Sequence, residues 1–466
     1  MSTPISLTPV YKELLGDLET PVSVYMKLNR SDSFLLESVT GGEQVARYSF
    51  IGFDPFCVFA ASGDQVKIQY RDKQVISTAN PIDALQSVLE EYELVAFQNL
   101  PPFLGGAVGY FSWEVMRHIE SLETGHDSDY PMAHYLFPQS LVIFDHALRK
   151  LILVVLAEPG QTEAAQAKLE ALELCLRQPL AADPISIPAV EGRDIFDGVK
   201  STFSKDEFIR AVEAAKHAIF EGDVFQLVLS QQFSLSSPKR PFDVYRTLRY
   251  INPSPYMYYF DFDTYQVIGS SPEILACLEG RKAFLRPIAG TRPRIKDQED
   301  AMVQSLLADE KERAEHIMLV DLARNDLGRV CDYESVVVSG LMHVEKYSHV
   351  MHMVSDVEGV LQEGKTAFDL FKASFPAGTV SGAPKIRAIQ IISELEPQAR
   401  GPYAGALGYF DFRGNMDLCI IIRTILSKNG QYFIQAGAGI VADSVPENEY
   451  EETRNKAKGV VLACLE

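Results

Sequence analysis

Strand-like runs broken by glycine and proline recur from Pro21 to Gly439, and they never settle into a regular strand–helix–strand alternation. Neighbouring parallel strands need long crossovers, usually helical, so an irregular series of short connections points to antiparallel pairing. The reading is α+β, with large, mainly antiparallel sheets packed as a sandwich and helices on the outside. The runs include PVSVYMKL, FLLES and RYSFIGFDPF; two strands from Leu141 to Leu156; VFQLVLSQQFSL; and a strand-turn-strand series closing at QYFIQAGAG. Helical spacing appears at Pro81 to Leu94, at Thr162 to Leu180, and in a helix from the capping box Ser204–Glu207 to about Glu221. QPLAADPISIPAVEG has three prolines and little periodicity. It divides the chain into an N-terminal region 1–185, a linker 186–200 and a region 201–466.

With 466 residues, 47% of them hydrophobic, the chain can bury a large core. Its formal charge of −20 argues against a general nucleic-acid binder or a membrane-surface protein. No apolar stretch reaches membrane-spanning length, and six scattered cysteines without a CxxC read as thiols in a reducing cytoplasm. An acidic chain that binds an anion must supply local Arg, Lys or metal.

Two paired carboxylates address that need. In DEKERAEHIMLVDLARND, helical spacing of Ile317, Val320 and Leu327, widened by Met318 and Leu322, places Glu312 and Glu315 one turn apart on one side. Alone, the pair also fits a solvated face interleaved with Lys311 and Arg313. In DSVPENEYEETRNKAKG, Ser444 and Glu447 have capping-box spacing, and Glu449 and Glu452 repeat the arrangement. Just upstream, the glycines of Gln435–Gly439 permit close approach of a ligand to main-chain amides. Carboxylates on two helices beside an anion-accepting glycine turn suit Mg²⁺, which takes one or two protein carboxylates and leaves positions for water and substrate oxygens.

His352 reads as a half-buried strand residue, on the opposite face from His349, and is either a satisfied core histidine or a general base. Arg423, at the end of LCIIIR, either reaches the rim or grips an anion in a forked contact. Tyr403 is a phenolic donor or packing, and Gly290 and Thr291 in PIAGT offer further donors. Thr379 and Ser381 precede a helix N-terminus, and Glu273 in SSPE is a general acid or an early-turn glutamate. Nucleotide-binding glycine loops, GxSxG and HExxH are absent from the sequence, which removes most support for redox, nucleotide and serine-hydrolase chemistry.

FPAGTVSGAPK, AEHIMLVDLARNDLGRV, PIAGTRPR, RGPYAGALGYF and QAGAGIVADSVPENEYEETRNKA together resemble the chorismate-utilising enzymes, most closely the large subunits of anthranilate synthases. The resemblance spans essentially the whole chain and is strongest after residue 200. It implies the chorismate-binding enzyme fold and Mg²⁺-dependent conversion of chorismate and ammonia to anthranilate and pyruvate, the first step of tryptophan biosynthesis. By similarity Glu315 and Glu452 are metal ligands supported by Glu312 and Glu449. Gly290, Thr291, Tyr403, Arg423 and the main chain of Gly437, Ala438 and Gly439 hold the substrate. His352 is the base, Glu273 the acid, and Thr379 lines the site. Ala289 stands where aminodeoxychorismate synthases typically carry a nucleophilic lysine, which favours external ammonia from a separate glutamine amidotransferase subunit. Ser38 with Pro255, Tyr256 and Met257 resembles a tryptophan feedback site, with Tyr256 and Met257 forming an apolar slot. Aminodeoxychorismate or salicylate/isochorismate chemistry, and a silent tryptophan-binding subunit, are the alternatives.

Overall fold

The computed structural model describes residues 3–465 apart from 39–46, 96–99, 121, 123–124, 181, 188–193, 296–297 and 347–349, with the backbone alone at Thr291, Pro293 and Val350. Among the described residues every ladder is antiparallel except the short pairing of Ile5–Leu7 with Tyr92–Leu94. That bears out the expected α+β architecture.

One run of hydrogen-bonded neighbours passes from Ile5–Leu15 through Lys150–Ala157, Ala133–Asp145, Tyr48–Ser62 and Ser33–Glu37. It continues through Tyr256–Asp261, Gln266–Ser271, Thr424–Lys428 and Gln431–Ile440 to Gln226–Ser236. A second run leaves the start of Ala133–Asp145 through Gly106–Phe111, Ala406–Asp411, Met416–Ile420, Ile274–Glu279 and Lys282–Leu285. It ends on Val350–Val360, which also carries Ile288–Pro293 and Val337–Lys346. Strands from before and after the 186–200 stretch, itself only partly within the described residues, therefore share sheets.

Alternation of side chains across each strand divides the core in two. Phe34 and Phe260 face one cluster; their neighbours Leu35 and Tyr259 face the other, where Leu169, Val244, Leu248 and Val460 of three outer helices cover the sheet. All thirteen residues of Ala133–Asp145 are buried, as befits a strand packed on both faces.

Several local expectations change. PVSVYMKL forms a helix, Pro21–Leu28, rather than a strand. Its alternation is also compatible with burial of Pro21, Val24, Tyr25 and Leu28, one helical face, and the Thr20–Ser23 capping box with Pro21 at the first turn starts it. The helix from Pro81 stops at Leu89, and Tyr92–Leu94 becomes an edge strand. Glu310–Gly328 is a helix, capped by Asp309, but Ile317 is 47% exposed and fully buried His316 takes its place in the apolar stripe. The Ser444–Glu447 capping box does not form. Pro446 opens the helix and puts Val445 at the cap, one residue later, so the Ser444 hydroxyl instead receives the Val441 N–H at 3.1 Å. No described helix is long and apolar enough to cross a membrane.

Candidate functional site

The glycine run is not a turn. Gln435–Gly439 lies inside the strand Gln431–Ile440, in register with Leu229–Gln232 and Val228 of its neighbour. On the other side its partner Thr424–Lys428 pairs only as far as Ile434, so from Gln435 onward that edge has no strand partner among the described residues. The Lys456 ammonium reaches the Gly437 carbonyl there at 3.0 Å. Gly437 is required by crowding: a Cβ would stand 2.7 Å from the Tyr403 hydroxyl oxygen and 2.9 Å from Val228 Cγ1. Tyr403 is thereby held against the glycine strand.

Arg423 does not end a strand. Met416–Ile420 stops earlier, and Arg423 adopts a left-handed backbone (φ 53°) in the connection to Thr424–Lys428. That bend turns its guanidinium inward, where Nη1 donates to the Lys456 carbonyl at 2.7 Å. Burial lowers its pKa, while the nearby Tyr403, Glu452 and Glu273 oppose the change. Tyr403, Glu452 and Glu273 are thus the groups whose charge acts on Arg423.

Glu273 occupies the break between Gln266–Ser271 and Ile274–Glu279, its carbonyl fixed by the Ile420 N–H at 3.0 Å. Burial lifts its carboxyl from 4.5 to about 7; Thr379, Lys456 and Arg423 moderate the rise. Thr379 sits in the short 3₁₀ turn Gly378–Val380, its buried hydroxyl without a formed hydrogen bond beside that carboxyl, and the two residues line one cavity with Leu319 and Leu322. Ser381, fully buried, is satisfied by the Ala377 carbonyl at 2.7 Å, which marks it as a structural residue of the turn.

His352 belongs to the strand Val350–Val360, paired with Thr291 and Glu345. Its Nδ1 lies 3.4 Å from the Gly290 carbonyl. Burial, followed by Arg423, pulls its pKa down against the Gly290 contact and Glu345. Gly290 has φ 72°, and a Cβ would come within 3.0 Å of Glu312 Oε2. Arg292 on the same strand donates to Glu312 at 3.0 Å and to Asp309 at 2.8 Å, which seats the start of the acidic helix beside Gly290. The Thr291 side chain and His349 lie outside the described residues.

The two carboxylate pairs come from two different helices, Glu310–Gly328 and Pro446–Cys464. Burial and the neighbouring Glu312 raise the Glu315 pKa; burial, and after it Glu452, raise that of Glu449. Gln226 links Glu315 to Gly439, and Lys456 links Glu452 to Gly437, so both pairs border the end of one strand. Among the described residues no three acidic, His or Cys side chains close into a ready-made metal cage. A hard cation that keeps most of its shell for water and substrate needs no such cage, and carboxylate oxygens paired one turn apart on two helices are a fitting donor set.

Two residues of this site escaped sequence reading. Lys456 bridges Glu452 (2.6 Å) and Gly437; its position one turn beyond Glu452 was the available signal. Gln226, 6% exposed at the start of its strand, points Nε2 toward Glu315 Oε1 at 3.4 Å and passes close to Gly439. Nothing in VFQLVL announces that reach.

At the other expected site, the ladder Met257↔Glu37 brings Ser38 beside Pro255 and Tyr256. Tyr256 and Met257 do not share a slot, because consecutive strand residues face opposite sides. Met257 is buried in the outer core, whereas Tyr256 crosses to donate to Asp417 at 3.0 Å.

A family model described as chorismate binding enzyme matches residues 31–461. The chain belongs to the chorismate binding enzyme family. Within it, anthranilate synthase component 1 of Acetivibrio thermocellus is 45% identical over all of this chain and 97% of the relative. The protein of the same name from Aquifex aeolicus is 45% identical over 99% of this chain and 96% of its own length. The crystal structure of anthranilate synthase component I from Streptococcus pneumoniae superposes with a TM-score of 0.79 at 37% identity, covering 96% of this chain and 98% of that one. The menaquinone-specific isochorismate synthase of Escherichia coli shares the fold (TM-score 0.74, 19% identity, 100% and 96% coverage). The chorismate-binding fold thus extends over both regions of the chain.

Proposed function

We propose that this chain converts chorismate and ammonia to anthranilate and pyruvate, with Mg²⁺ held by Glu315 and Glu452 and supported by Glu312 and Glu449. The observation that carries the reading is the convergence, in a chain 45% identical to anthranilate synthase components 1, of acidic pairs from two helices on a space bordered by Arg423, His352 and Glu273. The bound cation supplies charge stabilisation at the ring carboxylate. Arg423 and Tyr403, with the main-chain edge at Gly437–Gly439, receive the other carboxylate.

Glu273, with a carboxyl near 7, delivers a proton to the departing ring hydroxyl as ammonia adds at the ring carbon next to the carboxylate-bearing one and both ring double bonds shift toward the carbon that loses the hydroxyl. Neutral His352 then takes the ring proton whose loss expels pyruvate and leaves the aromatic ring. Ala289 offers no amine that would compete with ammonia. The component 1 naming of the relatives supports a second subunit, here a glutamine amidotransferase that supplies ammonia. Tryptophan binding at Ser38, Pro255 and Tyr256 then provides feedback inhibition.

Purified chain with chorismate, Mg²⁺ and an ammonium salt should develop anthranilate fluorescence, identified by chromatography. A folded protein with a flat trace, or one that yields aminodeoxychorismate or salicylate, refutes the assignment.

A further inference from the structure

An arginine is almost completely buried behind the site. Its side chain is 1% exposed and paired with Glu396, itself 4% exposed. A buried ion pair seldom stabilises a fold more than apolar packing of equal volume, so its value lies in what the pair holds in place.

The Arg400 guanidinium makes four hydrogen bonds. Nε and Nη2 grip the two Glu396 oxygens at 2.8 and 2.7 Å, Nη1 reaches the Val380 carbonyl at 2.7 Å, and Nη2 also reaches the Val228 carbonyl at 2.7 Å. Its plane lies over Trp113, 4.3 Å from the ring centre. Glu396 accepts in addition from the Ser230 N–H and hydroxyl, both at 2.8 Å, and the Ser230 hydroxyl receives the Gln435 amide at 2.8 Å.

Each held segment carries a residue of the site. Val380 directly follows Thr379. Val228 faces Gly439 across the ladder and packs on Gly437. Gln435 opens the glycine run, and Tyr403 lies three residues beyond Arg400 in the same loop. That loop is pinned from the N-terminal region as well: Glu114, 1% exposed, accepts the Gly401 N–H at 2.9 Å, and the Trp113 N–H donates to the Gly401 carbonyl at 2.9 Å.

We infer that Arg400 is a positioning residue, whose forked guanidinium locks the Thr379 turn, the glycine strand and the Tyr403 loop into the one arrangement that receives the dicarboxylate substrate. A lysine keeps the charge on Glu396, but its single nitrogen cannot span both carbonyls and both carboxylate oxygens. The inference rests on the proposed reaction.

Its test is Arg400→Lys, followed in ammonia-dependent anthranilate formation together with the emission of Trp113, the only tryptophan in the chain. The expected result is native circular dichroism, altered Trp113 emission, and a kcat/KM for chorismate about 100-fold lower through both a higher KM and a lower kcat. Folded Arg400→Lys with parental kcat and KM overturns the inference. Ser230→Ala, which leaves the ion pair intact, decides the matter where Arg400→Lys does not fold: about a tenfold fall supports the clamp through the shared Glu396 oxygen, and unchanged kinetics overturn it. A parent chain that makes no anthranilate removes the reaction itself; an active parent with indifferent variants removes only the clamp.

Discussion

Replacing Glu273 with glutamine separates what the residue costs the fold from what it does for the reaction. Burial raises its carboxyl from 4.5 to about 7, so the folded chain holds this proton more tightly than the unfolded chain does. Stability therefore falls as pH rises between these values, and the loss is complete above the upper one. At roughly 1.4 kcal/mol per pH unit, the full penalty is about 3 kcal/mol, of which about 2 kcal/mol accrues between pH 5.5 and 8.5. Glutamine has the same shape and no ionisation, so Glu273→Gln should gain stability over the parent as pH rises across that interval. Its amide cannot protonate a leaving hydroxyl, and kcat should fall by about 10²–10⁴. Urea unfolding of both proteins at the two pH values, with kcat measured in parallel, tests both halves. A stability gap that does not widen with pH refutes the burial argument, and near-parental kcat refutes the acid assignment.

Glu315→Gln should raise the Mg²⁺ concentration needed for half-maximal turnover, or abolish turnover, with the fold intact by circular dichroism; unchanged metal dependence removes the ligand. His352, with a pKa below 6.5, should impose an acid limb on kcat at lower pH. His352→Asn should erase that limb and cost about 10²–10⁴ in rate, and a limb that persists assigns it to another group. Ser38→Ala should relieve tryptophan inhibition without loss of ammonia-dependent activity, and equal inhibition of parent and variant would place the effector elsewhere.

Antiparallel pairing was legible because turn residues and short connections are local signals, and Ser204–Glu207 formed the capping box its spacing promised. PVSVYMKL misled because eight residues satisfy two periodicities, and the deciding Thr20 cap lies outside the apolar pattern. The glycine run read as a turn because glycine signals backbone freedom. Here it serves the close approach of Tyr403, a contact made by a residue more than 30 positions away. Individual acids and bases were visible through residue type, but Lys456 and Gln226 became site residues only through tertiary placement. Arg400 was silent for the same reason: its meaning lies in which distant carbonyls it meets.

The ladder between Glu37 and Met257 also sets a problem for synthesis. Roughly 220 residues separate these partners, so at about 5–20 residues per second the nascent chain waits on the order of 10–40 s with an apolar strand edge unmatched. Gln226–Ser236 must wait similarly for Gln431–Ile440, the last strand made among the described residues. Ribosomal speed and holdase chaperones should therefore govern the yield of soluble product more strongly than the stability of the finished molecule.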